Sequence, residues 1–345
     1  MTRFNRSEQD TSITMATVAR HAGVSKSTVS YVLSGRKRIS AEVAERVWQA
    51  VNELGYRPSS AARSLASRKS LTIGLFCNPT ETLREDPYFN QLLSGVLDAI
   101  GGYGYQLTLF PEASGDEAEA EHDGALPPAG SIDGALVMNP RVDSSGLERL
   151  ADTGVPLVVI GTTRSRREFF SVDHDQAAVI YQALEYLARK RHRRILFINS
   201  PETYVGTIQR EEGFELARTE LRLEKDPQLI RRGKITLEDG ERICSEALDA
   251  AIPFSAVLTM SDIVAVGAIR ALRAFGRRVP QDVAVVSSGN TIIAGVHSPA
   301  LTATMLYPYE QGREAGAILI DVIQRRRLRP THTTLPVTFV TRESA

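Results

Sequence analysis

The strongest constraint on the fold lies in residues 71–345, where short β-type runs alternate with longer amphipathic stretches. The β-type runs are 71–76, 106–110, 134–138, 157–160, 195–198, 256–260 and 283–286. The helix-type stretches include 89–100, 177–188, 208–221, 238–250, 263–275 and 309–325. This alternation predicts parallel sheets with helices on both faces, and the length suffices for two such layers. Ligands of such folds bind beyond the carboxyl ends of the strands, so we expect a cleft between two lobes.

Charge is distributed very unevenly along the chain. Between residues 14 and 70, ten lysines and arginines face only three glutamates. The whole chain has a formal net charge of zero, so the remaining residues carry the matching acidic excess. A small basic part joined to a large acidic part predicts a polyanionic partner for the first part only.

Several classes of protein are disfavoured by what the sequence lacks. No apolar run is long enough to cross a membrane, and the polar tail 1–13 has no secretory signal region. Cys77 and Cys244 have neither disulfide nor zinc spacing, and the six histidines are scattered. The basic run 189–194 suggests a solvated turn more than a second nucleic-acid surface. We expect a cytoplasmic protein with buried thiols, no metal, no cofactor and no catalytic constellation.

Residues 14–57 have the pattern of three short helices. Thr14 and Ser25 are placed to cap the first two helices, and Gly23 suits the turn between them. Ser40 is placed to cap the third helix, which Gly55 ends. The apolar residues on one face of that third helix are Val43, Val47, Val51 and Leu54. A helix, a glycine-centred turn, a second helix and a supporting third helix make a helix-turn-helix unit.

The second of these helices is the candidate reader of DNA. Its polar side chains can meet base edges in the major groove, while neighbouring basic residues hold phosphates. The candidate DNA contacts in this part of the chain are Thr14, Lys26, Ser27, Thr28, Ser30, Tyr31 and Arg38.

Two stretches of this part resemble a known headpiece. Residues 17–35 read TVARHAGVSKSTVSYVLSG and residues 54–58 read LGYRP, as in the lactose-repressor (LacI/GalR) family. The resemblance implies that Lys26 and Ser27, which open the reading helix, contact bases. Tyr31 stands where many members have arginine, so the base read at this position does not follow from the resemblance. Thr17 stands where members usually have aspartate, so a weaker helix cap is expected.

Residues 58–70 form a candidate hinge of small residues. In isolation such a segment is a marginal helix or a flexible linker. The resemblance implies that it folds when two copies meet in the DNA minor groove, where Leu65 wedges between base pairs and kinks the duplex. The hinge residues assigned to DNA are Ser59, Ala62, Arg63 and Leu65.

The resemblance continues to about residue 344 and implies a periplasmic-binding-protein-like core. The expected fold is an all-α helix-turn-helix headpiece plus an α/β core of two doubly wound subdomains. We expect the chain to cross between the subdomains near 170–173, 301–304 and 329–331. The N-subdomain is then about 71–170 and 303–328, and the C-subdomain is about 171–302 and 329–345.

The same resemblance implies contacts to a small effector. The implied contacts are Asn78, Tyr88, Phe89, Arg210, Ser261, Asp262 and Asn290. For some of these residues, burial in the core (Tyr88 and Phe89) or a surface ion pair (Arg210) is the alternative. Gly161 and residues 287–290 (SSGN) stand where sugar-binding relatives often have aspartates. We therefore expect an anionic or phosphorylated effector, or a sugar held mainly by amides, hydroxyls and aromatic rings.

These features together predict a ligand-gated repressor rather than an enzyme. We expect a homodimer on a pseudo-palindromic operator, because the five residues after Val340 are too few for the helical repeat of the family's tetramers. The rival interpretation is a solute-binding protein of a transport system. It fits residues 71–345 but explains neither the headpiece nor the absence of a signal peptide.

Overall fold

A computed structural model describes residues 13–34, 39–56, 69–77, 86–111 and 126–345. The chain divides into two compact units, Met1–Leu71 and Thr72–Ala345, which we call the headpiece and the core. Most of the tail 1–13 and of the hinge 58–70 lies outside the described residues. So do the candidate contacts Arg38, Ser59, Ala62, Arg63, Leu65 and Asn78.

The headpiece contains α1 (Met15–His21), α2 (Lys26–Ser34) and α3 (Ala41–Glu53). The first two predicted caps form: the Thr14 hydroxyl accepts the Thr17 N–H at 3.3 Å, and the Ser25 hydroxyl accepts the Thr28 N–H at 3.1 Å. Thr17 also accepts the Thr14 N–H at 3.4 Å, which completes a capping box at α1. The third predicted cap is wrong, because the Ser40 side chain makes no capping bond. The first turn of α3 instead carries Glu42, whose charge the helix dipole favours.

A small apolar cluster holds the three helices together. Val18, Val29 and Val47, one from each helix, are fully buried in it. Gly23 has a φ of +65°, which confirms the left-handed turn between α1 and α2. The headpiece therefore gains its stability from very few side chains, as expected for so small a unit.

The core is built from alternating strands and helices. In chain order they are β1 (Thr72–Cys77), α4 (Pro87–Gly101), β2 (Gln106–Pro111), β3 (Gly134–Met138), α5 (Ser145–Asp152), β4 (Leu157–Ile160), β5 (Phe170–His174), α6 (Gln176–Arg189), β6 (Ile195–Asn199), α7 (Val205–Glu220), β7 (Ile230–Arg232), α8 (Leu237–Asp249), β8 (Ala256–Thr259), α9 (Asp262–Ala274), β9 (Ala284–Gly289), α10 (Ile292–Val296), β10 (Thr302–Met305), α11 (Pro308–Ile323), β11 (His332–Leu335) and β12 (Thr338–Val340).

These strands form two six-stranded sheets, each the centre of one lobe. The first sheet has the order β11-β5-β4-β3-β1-β2 and is parallel throughout. The second has the order β12-β10-β9-β8-β6-β7 and is parallel except for β12. Strands β3, β4, β6 and β8 are buried along their whole length, as expected for sheets with both faces covered. The predicted pair of doubly wound layers is confirmed.

The chain crosses between the lobes three times, and each crossing lies downstream of its predicted position. The crossings follow β5, β10 and β11, at residue 175, residues 306–307 and residues 336–337. The predicted boundaries at 170, 302 and 329 are wrong because these strands pair within their sheets instead of ending early. Buried His174 accepts the Tyr307 N–H at 3.2 Å, which joins the first crossing to the second.

The structure also answers the expectations for the basic run 189–194, the two cysteines and membrane-spanning helices. The basic run 189–194 is a turn held by its own lobe, where Arg194 pairs with Glu224 and Asp226 at 2.6 Å each. Both cysteines are buried as free thiols. Within the described ranges, every helix is too short or too polar to cross a bilayer.

Candidate functional site

The reading helix α2 presents polar side chains on its outer face. Lys26, Ser27 and Tyr31 are exposed, whereas Val29 on the opposite face is fully buried in the headpiece cluster. The Ser25 hydroxyl lies 2.7 Å from the Ser27 hydroxyl and 2.8 Å from that of half-buried Thr28. The cap residue therefore also orients the first polar side chains that a major groove would meet.

In the core, a cavity lies where the carboxyl ends of the strands of both sheets converge. It is bordered by the ends of β1, β3 and β4 in the first lobe and by residues following β6, β8 and β9 in the second. The predicted residues Tyr88, Phe89, Arg210, Ser261 and Asp262 all border it. Asn290 does not, because its side-chain oxygen accepts a hydrogen bond from Arg342.

Arg210, on α7, is a half-buried cation held by neutral acceptors. Its guanidinium donates to Asn199 Oδ1 at 2.9 Å, to Gln176 Oε1 at 3.1 Å and to Ser200 Oγ at 2.7 Å. Burial lowers the pKa of Arg210 to about 10, although the charge of Asp173 opposes that shift. Arg210 is therefore charged at neutral pH and is fixed in place before any ligand arrives.

Asp173 is the penultimate residue of strand β5, and its charge has the largest electrostatic effect on Arg210. Its carboxylate accepts from Gln176 Nε2 at 3.0 Å and from the Thr162 hydroxyl at 3.0 Å. Gln176 thus stands between the buried carboxylate of Asp173 and the half-buried guanidinium of Arg210, with one of its amide atoms bound to each. Burial raises the pKa of Asp173, while these hydrogen bonds and Arg210 lower it.

Two further carboxylates border the cavity from opposite lobes. Asp86 caps α4 by accepting the Tyr88 N–H at 3.0 Å, and burial, with a smaller effect of Asp262, raises the pKa of Asp86 to about 6. Asp262 opens α9 and accepts from Ser287 and from both the N–H and the hydroxyl of Thr291. Burial also raises the pKa of Asp262.

Tyr88 and Gln311 connect α4 to α11 at the edge of the cavity. The Tyr88 hydroxyl donates to Gln311 Oε1 at 2.5 Å, and Gln311 Nε2 donates to the Val172 carbonyl at 3.1 Å. Tyr88 is thus not simple core packing, because it lines the cavity and its hydroxyl is bound to Gln311, which lines the cavity too.

Backbone conformation explains why glycine stands at two of the positions where sugar-binding relatives differ from this sequence. Gly161 and Gly289 have φ values of +116° and +134°, which side-chain-bearing residues rarely adopt. Ser288, next to Gly289, is buried and borders the cavity. Its hydroxyl has no hydrogen-bond partner in the described part of the chain. Such an unpaired buried hydroxyl is costly unless a ligand pairs with it.

Comparison with known proteins accounts for both units. Residues 14–59 match "Bacterial regulatory proteins, lacI family", and residues 184–345 match "Periplasmic binding protein-like domain". The regulator CelR of Thermobifida fusca is 33% identical over 96% of this chain and 98% of its own length. The repressor CytR of Escherichia coli is 30% identical over 92% of each chain. The chain belongs to the LacI family.

Solved structures of LacI-family proteins agree over nearly the whole chain. A CelR–cellobiose complex covers 96% of this chain and 99% of its own, with 31% identity and a TM-score of 0.72. A lac repressor dimer bound to operator and an anti-inducer covers 96% of this chain and 98% of its own, with 25% identity and a TM-score of 0.82. This LacI-family chain is therefore a helix-turn-helix transcriptional regulator, and the transport-protein interpretation is not favoured.

The LacI-family pattern did not reveal every residue at the cavity. Sequence reasoning missed Asp86, Asp173, Gln176, Ser288 and Gln311. Two had a local signal: Asp86 precedes a proline at the start of a helix, and Asp173 falls near the carboxyl end of a short apolar strand. Gln311 had none, because its partners Tyr88 and Val172 are remote in the sequence.

Proposed function

We propose that this regulator represses transcription as a homodimer on a pseudo-palindromic operator, with its affinity set by a neutral, hydroxyl-rich ligand of the saccharide class in the cleft. The observation that carries the ligand class is the set of three buried carboxylates at the cavity, from Asp86, Asp173 and Asp262. Carboxylates accept paired hydrogen bonds from the hydroxyls of a sugar.

The same carboxylates weigh against the anionic ligand that the sequence left open. A phosphate in this cavity would face three buried acids, and like charges repel strongly where water is excluded. The two cations that border the cavity, Arg210 and Lys234, do not reverse this balance, because three carboxylates face them and Asp173 already raises the pKa of Arg210. Where position 161 and residues 287–290 lack the aspartates of sugar-binding relatives, Asp86, Asp173 and Asp262 supply carboxylates from other elements, which supports a sugar ligand.

The relatives indicate where to begin among saccharides. CelR is bound to cellobiose in its solved complex and is similar to this chain along almost its whole length. A short glucose-containing oligosaccharide is therefore the first ligand to test. A ligand that contacts both lobes favours one arrangement of the lobes, and this preference couples the cleft to DNA affinity.

We further propose that the chain has no enzymatic role and acts in the cytoplasm, where operator DNA is found. The relatives that establish the family are all named as transcriptional regulators. The buried polar groups of the cleft fit ligand recognition, because each carboxylate is already held by protein donors.

The first experiment measures DNA binding by fluorescence anisotropy on a library of pseudo-palindromes at two salt concentrations. A tight site with a steep salt dependence, of slope about −0.9 per phosphate neutralised, is the expected result. Equal, weak binding to all sequences would contradict the operator-binding proposal.

The second experiment is calorimetric titration of the full chain with cellobiose, maltose and their 6-phosphates. We expect a neutral sugar to bind and its phosphate to bind far more weakly. Ser288→Ala should reduce that affinity, because the ligand loses the hydroxyl with which it would pair. Ser94→Ala, on the exposed face of α4, should leave the affinity unchanged. Tighter binding of the phosphates would overturn the neutral-ligand proposal.

A further inference from the structure

Gln311 is an almost fully buried amide at the start of α11, with 2% of its surface exposed. One of its two polar side-chain atoms donates a hydrogen bond and the other accepts one. Nε2 donates to the Val172 carbonyl at 3.1 Å, and Oε1 accepts from the Tyr88 hydroxyl at 2.5 Å. The side chain thus bridges a strand of the first lobe to a tyrosine that borders the ligand cavity.

The orientation of this amide is determined by its backbone partner. A main-chain carbonyl can only accept hydrogen bonds, so the NH₂ group of Gln311 must face Val172. Reversing the amide would set two acceptors against each other at that point. Oε1 must therefore face Tyr88, and the Tyr88 hydroxyl must donate to it.

Tyr88 has only one proton to give. Burial, together with the nearby charges of Asp173 and Asp86, raises the pKa of Tyr88 above its ordinary value, so the phenol stays neutral. A neutral phenol offers one donor and two acceptor lone pairs. With its proton committed to Gln311, the phenol oxygen can act towards a ligand only as an acceptor.

The two helices that carry this pair are in direct backbone contact. A Cβ atom added to Gly95 of α4 would lie 2.0 Å from the Tyr309 carbonyl oxygen of α11, and one added to Gly312 of α11 would lie 2.0 Å from that of Leu92. Only glycine permits this approach. The spacing between Tyr88 and Gln311 is therefore set by backbone packing rather than by mobile side chains.

We propose that Gln311 is a specificity-determining residue that acts through Tyr88: by holding the Tyr88 proton, it makes this end of the cleft select ligands that present a hydrogen-bond donor there. Asp86 and Asp173, which also border the cavity, supply further acceptors. A hydroxyl or an N–H group satisfies this end, whereas an ether oxygen, a fluorine or a carbonyl is rejected. The inference rests on the proposed function, because it requires that the cleft binds the effector.

The ligand test compares the full-length protein with Gln311→Met and Tyr88→Phe. The probes are cellobiose and its monofluoro and monodeoxy analogues, with each hydroxyl replaced in turn, titrated by calorimetry. At the hydroxyl that meets Tyr88, the original protein should bind the fluoro analogue roughly tenfold more weakly than the deoxy analogue, because fluorine sets acceptor against acceptor.

In Gln311→Met the phenol proton is released and can turn towards the ligand. The preference for the deoxy over the fluoro analogue should then disappear or reverse, whereas in Tyr88→Phe the two analogues should bind alike. A merely structural role would weaken all probes equally and leave the ratio unchanged, which would overturn the proposal. Gln182→Met is the matched control, since this glutamine on α6 does not border the cavity.

A second measurement needs no ligand and therefore separates this inference from the proposed function. The Raman Fermi doublet of tyrosine changes its intensity ratio between a donating and an accepting phenol. The difference spectrum between the original protein and Tyr88→Phe should show a donating phenol. The difference spectrum between Gln311→Met and the double variant Gln311→Met/Tyr88→Phe should not. An unchanged signature would refute the inference, even if cellobiose binds. If cellobiose fails to bind while the signature shifts, only the choice of saccharide is wrong.

Discussion

In the headpiece, Lys26, Ser27 and Tyr31 stand exposed on one helix. In the cleft Asp262 and Gln311 are buried, Arg210 is half-buried, and all three are already hydrogen-bonded. These candidate DNA contacts should lose water only when DNA arrives, and before that they are positioned by the helix and, at its start, by the Ser25 hydroxyl. The cleft groups lost water when the core folded, so their orientation was paid for in advance. Changes in the headpiece surface should therefore alter binding alone, and changes in the cleft should alter binding and stability together.

The largest expected effect comes from breaking the headpiece interior. Val47→Asp places a carboxylate in a small cluster where Val47 is fully buried, at a cost of several kcal/mol. We expect operator binding to be lost while the core retains its sugar affinity. Trp48, the one tryptophan of the chain, reports headpiece unfolding by its emission. Ala41→Asp, at an exposed position in the first turn of α3, is the control. Loss of core stability in Val47→Asp would contradict the expectation that the headpiece unfolds without the core.

Removing the half-buried cation of the cleft, Arg210, should have the next largest effect. Arg210→Met leaves three acceptors without their donor and Asp173 without its counter-charge. We expect a loss of about 3 kcal/mol in unfolding free energy and a weakening of ligand binding by roughly a hundredfold. Urea unfolding and calorimetry measure the two. Arg189→Met, at a position with 74% side-chain exposure, should change neither.

Burial of Asp86 also predicts a pH dependence that originates in the cleft. The pKa of Asp86 is about 6 in the folded core against an ordinary 3.8, so folding loses stability as the pH rises through this window. Asp86→Asn keeps the helix cap and should stabilise the core by about 3 kcal/mol at pH 7.5 and by about half of that at pH 5.

Asp175→Asn is the matched control for Asp86→Asn, because Asp175 caps α6 in the same way but is exposed. Urea unfolding at the two pH values gives the comparison. An equal gain at both pH values would show that the effect of Asp86→Asn does not come from ionisation.

The smallest expected effect tests whether the exposed surface reads DNA without supporting the fold. Lys26→Ala should weaken operator binding by about 1–3 kcal/mol and leave headpiece unfolding, followed by Trp48 emission, unchanged. If Lys26 contacts a phosphate, the salt slope should also fall by about one. Lys190→Ala on the core surface is the control and should leave operator binding and headpiece unfolding unaltered. An altered unfolding transition in Lys26→Ala would show that the exposed headpiece surface, like the cleft, supports both binding and stability.

The two units also differ in how far the sequence could predict them. The headpiece caps at Thr14 and Ser25 and the turn at Gly23 follow from residues a few positions apart, so they could be foreseen. In the core, most of the buried apolar strands and their helices were found, but β5, β7, β10, β11 and β12 were missed. Strands β5 and β10 are buried but carry several polar residues, whereas β7, β11 and β12 are short and only half-buried or exposed. Their pairing with remote partners, not their composition, makes these segments strands.

The cleft shows the same limit more sharply. Arg210 and Asp262 were predicted, because each lies in a stretch with a recognisable resemblance. Asn290 was assigned from its neighbours, yet its side chain lies on Arg342 instead of in the cavity. Gln311 could not have been found, since its role depends on the hydroxyl and the carbonyl that the fold brings to it.

The three crossings between the lobes have a consequence for synthesis of the protein. Helix α11 packs against β3, β4 and β5, and β11 forms the edge of the same sheet beside β5. A nascent chain that has left the ribosome only as far as β10 therefore holds most of the first lobe with an apolar face uncovered. The first lobe is complete only after nearly all of the second has emerged, so the core depends on protection of that face until the last segments arrive.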